Sequence, residues 1–283
     1  MPPTCARHLL RDVRRGMVHP NEPMNAPLHI APLTAADLAA ACALDPTDTG
    51  CRGRLLWHLH TPYAQALKAE QGAQLLGHAC GLVHGRSGWV RHLHTAPHTT
   101  EVAPALLAAL VEWMEAHGAH SQVAIAPPGA EAPYTACGFE ETGSLLHYTH
   151  GHFLEATRAE VVDLAPEHGL AVLRLDQQAT GEDRSTLLRE HLYLGSVYAE
   201  GTQVRGFLLP LLGHGLIVAD SPAVGLELQR WLLPLQPYLH LPVGHLSAHA
   251  HLIGRRYRPS IVGTRMVRGT PLAYRPHLIY AHP

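Results

Sequence analysis

The two halves of this 283-residue chain follow one plan, and that repetition constrains the fold more than any other feature. In the first half a short alternating apolar run, Leu28 to Leu33, ends at Thr34-Ala-Ala-Asp37, a capping-box pattern that opens a helix carrying Leu38, Ala41 and Cys42. In the second half Leu170 to Leu175 alternates in the same way, and Thr180-Gly-Glu-Asp183 repeats the pattern ahead of Leu187, Leu188 and Leu192. Ala69-Glu-Gln-Gly-Ala-Gln74 and Ala199-Glu-Gly-Thr-Gln203 lie between β-type runs and read as matching hairpin turns. Third strands follow at Trp89 to Thr95 and Gly215 to Ala219. Each leads through a short loop into a helix, one entered near Pro104 and ended by Gly118, the other opened by Ser221-Pro222 and stopped by Pro234. Further strands are expected at Gln122 to Ala126 and His245 to His249, and closing strands near Glu140 to Tyr148 and Ile261 to Val267.

The order β-α-β-β-β-α-β-α-β, met twice, predicts an α/β (α+β layered) fold with two mixed β-sheets flanked by helices. The expected organisation is a mobile extension over 1–25, a first domain over 26–150, a linker over 151–167 and a second domain over 168–283. Met24 stands just before the first periodic segment and offers an alternative start.

Composition narrows the partners. With 21 basic and 23 acidic residues the net charge is −2, so the basic stripe that nucleic-acid binding needs is not expected. The longest apolar stretch, Phe207 to Val218, is broken by Pro210, Gly213, His214 and Gly215, and no membrane span is expected. Five scattered cysteines without a C-x-x-C pair fit a reducing, cytoplasmic setting. The 24 histidines, beside a single lysine (Lys68), two asparagines and three phenylalanines, read first as compositional bias. His58/His60, His92/His94, His150/His152 and His249/His251 have the i, i+2 spacing that shares a strand face, but no metal-site motif accompanies them, so no metal is expected.

The strand, loop and helix of each half build an anion-binding geometry, because first-turn N–H groups have no internal partner. Val90-Arg-His-Leu-His-Thr-Ala-Pro97 and Tyr134-Thr-Ala-Cys-Gly138-Phe139 carry a resemblance to the GNAT fold of acyl-CoA N-acyltransferases. In the second half, Leu175 to Arg184, Gly206-Phe-Leu-Leu-Pro210, Gly213 to Asp220, Arg265-Met-Val-Arg-Gly269 and Pro276 to Tyr280 resemble a bacterial subgroup of tandem GNAT-like proteins. The resemblance covers about residues 26–280. It implies an acetyltransferase using acetyl-CoA on a small amine or N-terminal amine, and it leaves room for a homodimer.

By that resemblance the coenzyme lies along Leu93, His94 and Thr95 and over the loop His98, Thr99, Thr100, Glu101, Val102, Ala103 and Pro104. The amide of Leu93 or His94 is the implied oxyanion donor and Tyr134 the implied acid for the leaving thiolate. His92, His94 and Glu70 are candidate bases for the substrate amine. Neither half has the family's Q/R-x-x-G-x-G/A loop, which keeps open a non-catalytic tandem protein that binds an acyl-CoA or a partner. Asp183-Arg184 reads as a cap and a surface pair, or as the lining of a cleft between domains. Cys137 reads as a small buried residue.

Overall fold

The structure, a computed structural model, describes residues 26–283. The extension expected at 1–25, with Met24, lies outside the described residues. The first half runs β1 (Leu28–Pro32), α1 (Leu38–Ala43), α2 (Cys51–His60), β2 (Ala64–Gln71), β3 (Gln74–His84), β4 (Ser87–Thr95), α3 (Val102–Ala116), β5 (Ser121–Ala126), α4 (Ala132–Ala136) and β6 (Glu140–Thr149). The second runs β7 (Val161–Asp163), α5 (Gly169–Thr180), α6 (Ser185–Arg189), β8 (Ser196–Glu200), β9 (Gln203–Leu209), β10 (Leu216–Ala219), α7 (Pro222–Leu232), β11 (Leu239–Pro242), α8 (Leu246–Gly254), β12 (Arg258–Gly269) and β13 (Ile279–Ala281).

Most expected elements stand where the pattern put them. The Thr34 box closes, with the Thr34 N–H donating to Asp37 Oδ2 at 2.8 Å, and Gly118 ends α3 at φ 88°. Five readings are corrected. Leu170 to Leu175 is helical: Val172, Asp176, Ala179 and Thr180 are buried at helical spacing in α5, and a short alternating run fits either period. Thr180-Gly-Glu-Asp183 is accordingly the end of α5, not the start of a helix, with Gly181 left-handed at φ 75° and its N–H bonded to Gln177 O. The first strand of the second half is β7, inside the stretch expected as linker. His245 to His249 is the N-terminus of α8, because the strand there is β11, and the His245 side chain accepts the Ala248 N–H. His58 and His60 lie on α2, so they do not share a strand face.

The halves are joined by two strands, β11 and β12, that the second half contributes to the sheet of the first. One sheet has eight strands in the order β1-β2-β3-β4-β5-β12-β6-β11, and the other five in the order β13-β10-β9-β8-β7. Thus β12, from the second half, lies antiparallel between β5 and β6 of the first. The His282 N–H donates to His240 O at 2.9 Å beside β11, which links the two sheets edge to edge.

On one face of the large sheet α3 buries Val102, Leu106, Leu107, Leu110, Val111 and Met114 against Ala69, Ala79, Val90, Ala124 and Ala126. Each fully buried leucine contributes roughly 1.5–3 kcal/mol. Gly88 lets the helix approach, since a Cβ there would stand 2.6 Å from Met114 Sδ. On the opposite face α1 and α2 pack Leu38, Ala41 and Leu55 against Leu33, Ala66 and Cys80.

Charge is buried where the halves meet. Arg184 is 4% exposed and holds Asp176, 1% exposed, through Nε to Oδ2 at 3.0 Å and NH2 to Oδ1 at 2.5 Å. It is therefore not the surface pair the sequence allowed. Trp89 Nε1 donates to the buried Glu182 carboxylate at 2.6 Å. Removing one member of such a pair strands the other charge, so Arg184→Met is expected to cost about 3–5 kcal/mol in urea unfolding. Asp176→Asn is expected to cost less, because Glu182 still faces Arg184.

Several histidines are buried beside these arginines. Burial, reinforced by Arg184, holds His84 down to about 3 and His282 to about 3, and burial holds His58 to about 4 despite its bond to Arg54 O. These rings are neutral in the fold and protonate in the unfolded chain below about pH 6.5, so their contribution is present above that pH and is lost as pH falls. Burial pushes the Glu182 carboxyl up, which acts in the opposite sense and offsets part of the loss. Between pH 7 and 5.5 each ring is expected to remove about 1 kcal/mol. Urea midpoints at the two pH values check this, and an unchanged midpoint contradicts it.

Candidate functional site

The site starts where two parallel strands stop pairing. β4 and β5 are in register from Ser87↔Ser121 to Val90↔Ala124 and no further. The pairing of β4 with β3 slips at Cys80/Gly81, so Arg91 is an extra, bulged residue. Beyond it Leu93 and Thr95 continue beside β3 alone, and the β4 edge toward β5 is open. The loop after β4 turns sharply: His98 is left-handed at φ 65°, and Thr99 Oγ1 donates to Ala96 O at 2.6 Å. His98 thus supplies the positive φ that a glycine would otherwise supply. Val102 N–H bonds Thr99 O, whereas among the described residues no backbone bond uses the amides of Thr100, Glu101 or Ala103. A curled loop with unpaired first-turn amides and an open strand edge fits a phosphate-bearing coenzyme, although Glu101 at the helix N-cap opposes it.

The expected site residues do not all gather here. Tyr134, on α4, is 4% exposed and meets Phe139 edge-on at 5.8 Å on the α3 face. Burial pushes its hydroxyl up to about 12, so it stays protonated. His92 and His94 share the opposite face, toward α2, with ring centroids 6.4 Å apart. His92 packs on His58 at 5.7 Å and His94 stacks on His78 at 5.2 Å. Burial, then the Arg91 charge, depresses His92 to about 2. His94 is lowered by burial against the pull of Asp45. Both rings are neutral, and His92 is a weak base. Glu70 lies on β2 opposite His29 and Leu75, two strands from β4, and is engaged by Lys68 at 2.7 Å. Cys137 is half-buried, its thiol beside Pro104 O. Among the described residues no group of three His, Cys, Asp or Glu is arranged to hold a metal ion.

On the α2 face the splay opens into a cavity between the halves, with adjoining lobes of about 310 and 540 Å³. Arg54, Trp89, Arg91, His92, Gly213 and Pro283 line both lobes. The larger reaches the splay at Val90 and Ile125, and the smaller is walled by Trp57 and His58 of α2 and by Arg184, Leu187, Leu211 and Leu212 of the second half. Arg184 therefore does line a cleft between the halves. His58 Nδ1 lies 2.8 Å from Arg54 O, which puts the proton on Nδ1 and leaves Nε2 a buried acceptor without a partner. Sequence reasoning missed Arg54, Trp57, Arg91 and Leu211 to Gly213. Their signal exists only in the packing of one half on the other.

The equivalent cleft of the second half is filled. β10 pairs with β13, Ile217 facing Ala281 and Val218 facing Ile279, where β4 in the first half diverges from β5. The Tyr280 ring lies against Gly225 in the first turns of α7, leaving no space for a Cβ, and Gln229 Nε2 donates to Tyr280 O at 2.6 Å.

Neither a family model nor a curated relative matches the chain by sequence. Solved structures do match by shape. A candidate acetyltransferase of Pyrococcus horikoshii superposes with a TM-score of 0.73 at 17% identity, over 93% of this chain and 96% of that one. A tandem GNAT protein from the clavulanic acid biosynthesis pathway gives 0.55 at 16%, over 87% and 99%. A GCN5-related N-acetyltransferase of Anabaena variabilis gives 0.57 at 11%, over 86% and 72%. With one mixed and one antiparallel sheet, both flanked by helices, the chain has the fold of the GNAT acetyltransferases in its tandem form.

Proposed function

We propose that the protein is an acyl-CoA-dependent N-acyltransferase in which the first half holds acetyl-CoA and the cavity between the halves admits a small amine. The observation that carries this reading is the asymmetry of the two clefts. The β4/β5 splay is open on one face to the α3 N-terminus and on the other to a cavity, while its counterpart is filled by β13. The amides of Thr100, Glu101 and Ala103 would meet the coenzyme phosphates, with Thr99 bracing the turn.

Transfer moves the acetyl group from sulfur to nitrogen, so the amine loses a proton and the thiolate gains one. An amide of the β4 edge, Leu93 or His94, would stabilise the charge developing on the thioester oxygen. Tyr134, kept protonated by burial, is suited to donate to the thiolate. His92 is too weakly basic to take the amine proton at neutral pH, so the amine would arrive neutral, attack, and then release its proton to water. Four free cysteines among the described residues, and the absence there of any helix long and apolar enough to cross a membrane, support a cytoplasmic setting.

A binding-only protein is the second reading, favoured by the glycine-free loop and Glu101. Titration calorimetry separates it from no coenzyme binding at all. Acetyl-CoA is expected to bind, with affinity falling at least tenfold in Ala103→Trp and holding in Ala223→Trp, its counterpart at the start of α7. No binding at millimolar acetyl-CoA overturns both readings.

For the transferase, Tyr134→Phe is expected to lower kcat about a hundredfold with unchanged acetyl-CoA affinity. Turnover that is unaffected removes Tyr134 from the chemistry, and tight binding without coenzyme A release on any amine favours the binding-only protein.

A further inference from the structure

Three guanidinium groups converge on the cavity between the halves, and no aspartate or glutamate lines either lobe. Their charges are not equally spent. Arg184 is held by both oxygens of Asp176, and Arg54 is paired with Asp48 on its own side of the cavity. Arg91 forms no ion pair and no side-chain hydrogen bond among the described residues, and its one charge-related contact is the Trp89 ring, 5.9 Å from its Cζ. Burial and the nearby Arg184 lower it, with no carboxylate pulling the other way. The histidines around it, His58, His84 and His92, are neutral for the reasons given above and add no positive charge. An unpaired cation placed on a bulge, beside a like charge and partly out of water, is a place where an incoming anion is stabilised.

The walls say what the anion is attached to. Trp57, Leu82, Trp89, Leu187, Leu211 and Leu212 make the lobe beside Arg91 predominantly apolar. A bare phosphate would leave those surfaces wet, whereas a small molecule with an apolar body would cover them. The coenzyme is not this anion: Val90 faces α3 and its loop amides, while Trp89 and Arg91 face α2 on the other side of the sheet.

We infer that Arg91 is the carboxylate-recognising residue of the acceptor site, and that the acceptor is an amino-acid-like amine with an apolar body and a free carboxylate. A guanidinium holds a carboxylate through two parallel N–H donors, which fixes the acid end and leaves the amine end to the splay. This substrate class rests on the transferase reading, but the anion site can be tested without acyl transfer.

The probes are N-acetylleucine and its uncharged amide, N-acetylleucinamide, titrated calorimetrically into the full chain without acyl-CoA. The acid is expected to bind at least tenfold more tightly than the amide, and more weakly as salt is raised. In Arg91→Met, of similar volume, that preference is expected to vanish while the melting temperature holds or rises, because an unpaired, partly desolvated charge beside Arg184 has been removed. A merely structural Arg91 would lower the melting temperature and leave the preference intact. Equal affinity for acid and amide, no binding of either, a preference surviving in Arg91→Met, or inorganic phosphate binding as tightly as N-acetylleucine each overturns the assignment. Failure of acetyl-CoA to bind in a separate titration would sink the transferase reading and leave this result standing.

Discussion

The parallel register of β4 and β5 ends at Val90 and Ala124, and everything the molecule can offer a ligand depends on that divergence. Beyond it one strand keeps its β3 partner and the other turns to β12, so a wedge of unpaired backbone opens between them. Unpaired N–H and C=O groups inside a protein need partners, and a sheet normally closes such a gap with another strand. The second half does so with β13. The first half leaves the gap open beneath a helix whose first amides are also unpaired.

The strands that the second half contributes make the halves interdependent. β12 is the longest strand among the described residues and belongs by sequence to the second half, yet it completes the first-half sheet between β5 and β6. Its insertion brings the second half against the α2 face, where Trp89 meets Glu182 and where Arg184 lines the cavity. The cavity therefore exists only when both halves are in place. A tandem arrangement of this kind can keep one cleft as a site and use the other copy as a wall, which accounts for a repeat whose two loops differ in sequence.

How much of this was legible follows from the range of the interactions involved. Helix caps and hairpin turns are local, so Thr34 with Asp37, Gly72, Gly118 and Ser221 announced their elements correctly. Leu170 to Leu175 misled because a six-residue, mostly apolar run satisfies a strand and a helix alike, and Gly181 as a left-handed cap looks the same in sequence as a glycine within a box. The order of strands was not legible at all, since β12 and β13 are placed by pairings with residues more than fifty positions away. For the site, the loop from His98 to Pro104 and Tyr134 could be found through a resemblance. Arg184 stood as one of two readings, the lining of a cleft, whereas Arg54 and Arg91 could not be found, because nothing in their spacing marks arginines brought together from α2 and β4.

The histidines show how burial changes what composition suggests. A ring near its ordinary pKa is a natural base, and His92 and His94 sit beside the splay where a base is wanted. Packed on His58 and His78 and next to Arg91, they are instead held in the neutral form, and the energy that depresses them is the same desolvation that makes them poor proton acceptors. A wall of neutral imidazoles is nonetheless useful around a guanidinium. It excludes water without competing for charge, so the attraction of Arg91 for an anion is less screened than at an open surface. The seven histidines that line the cavity thus serve it as polar packing, and the chemistry of recognition falls to the arginines.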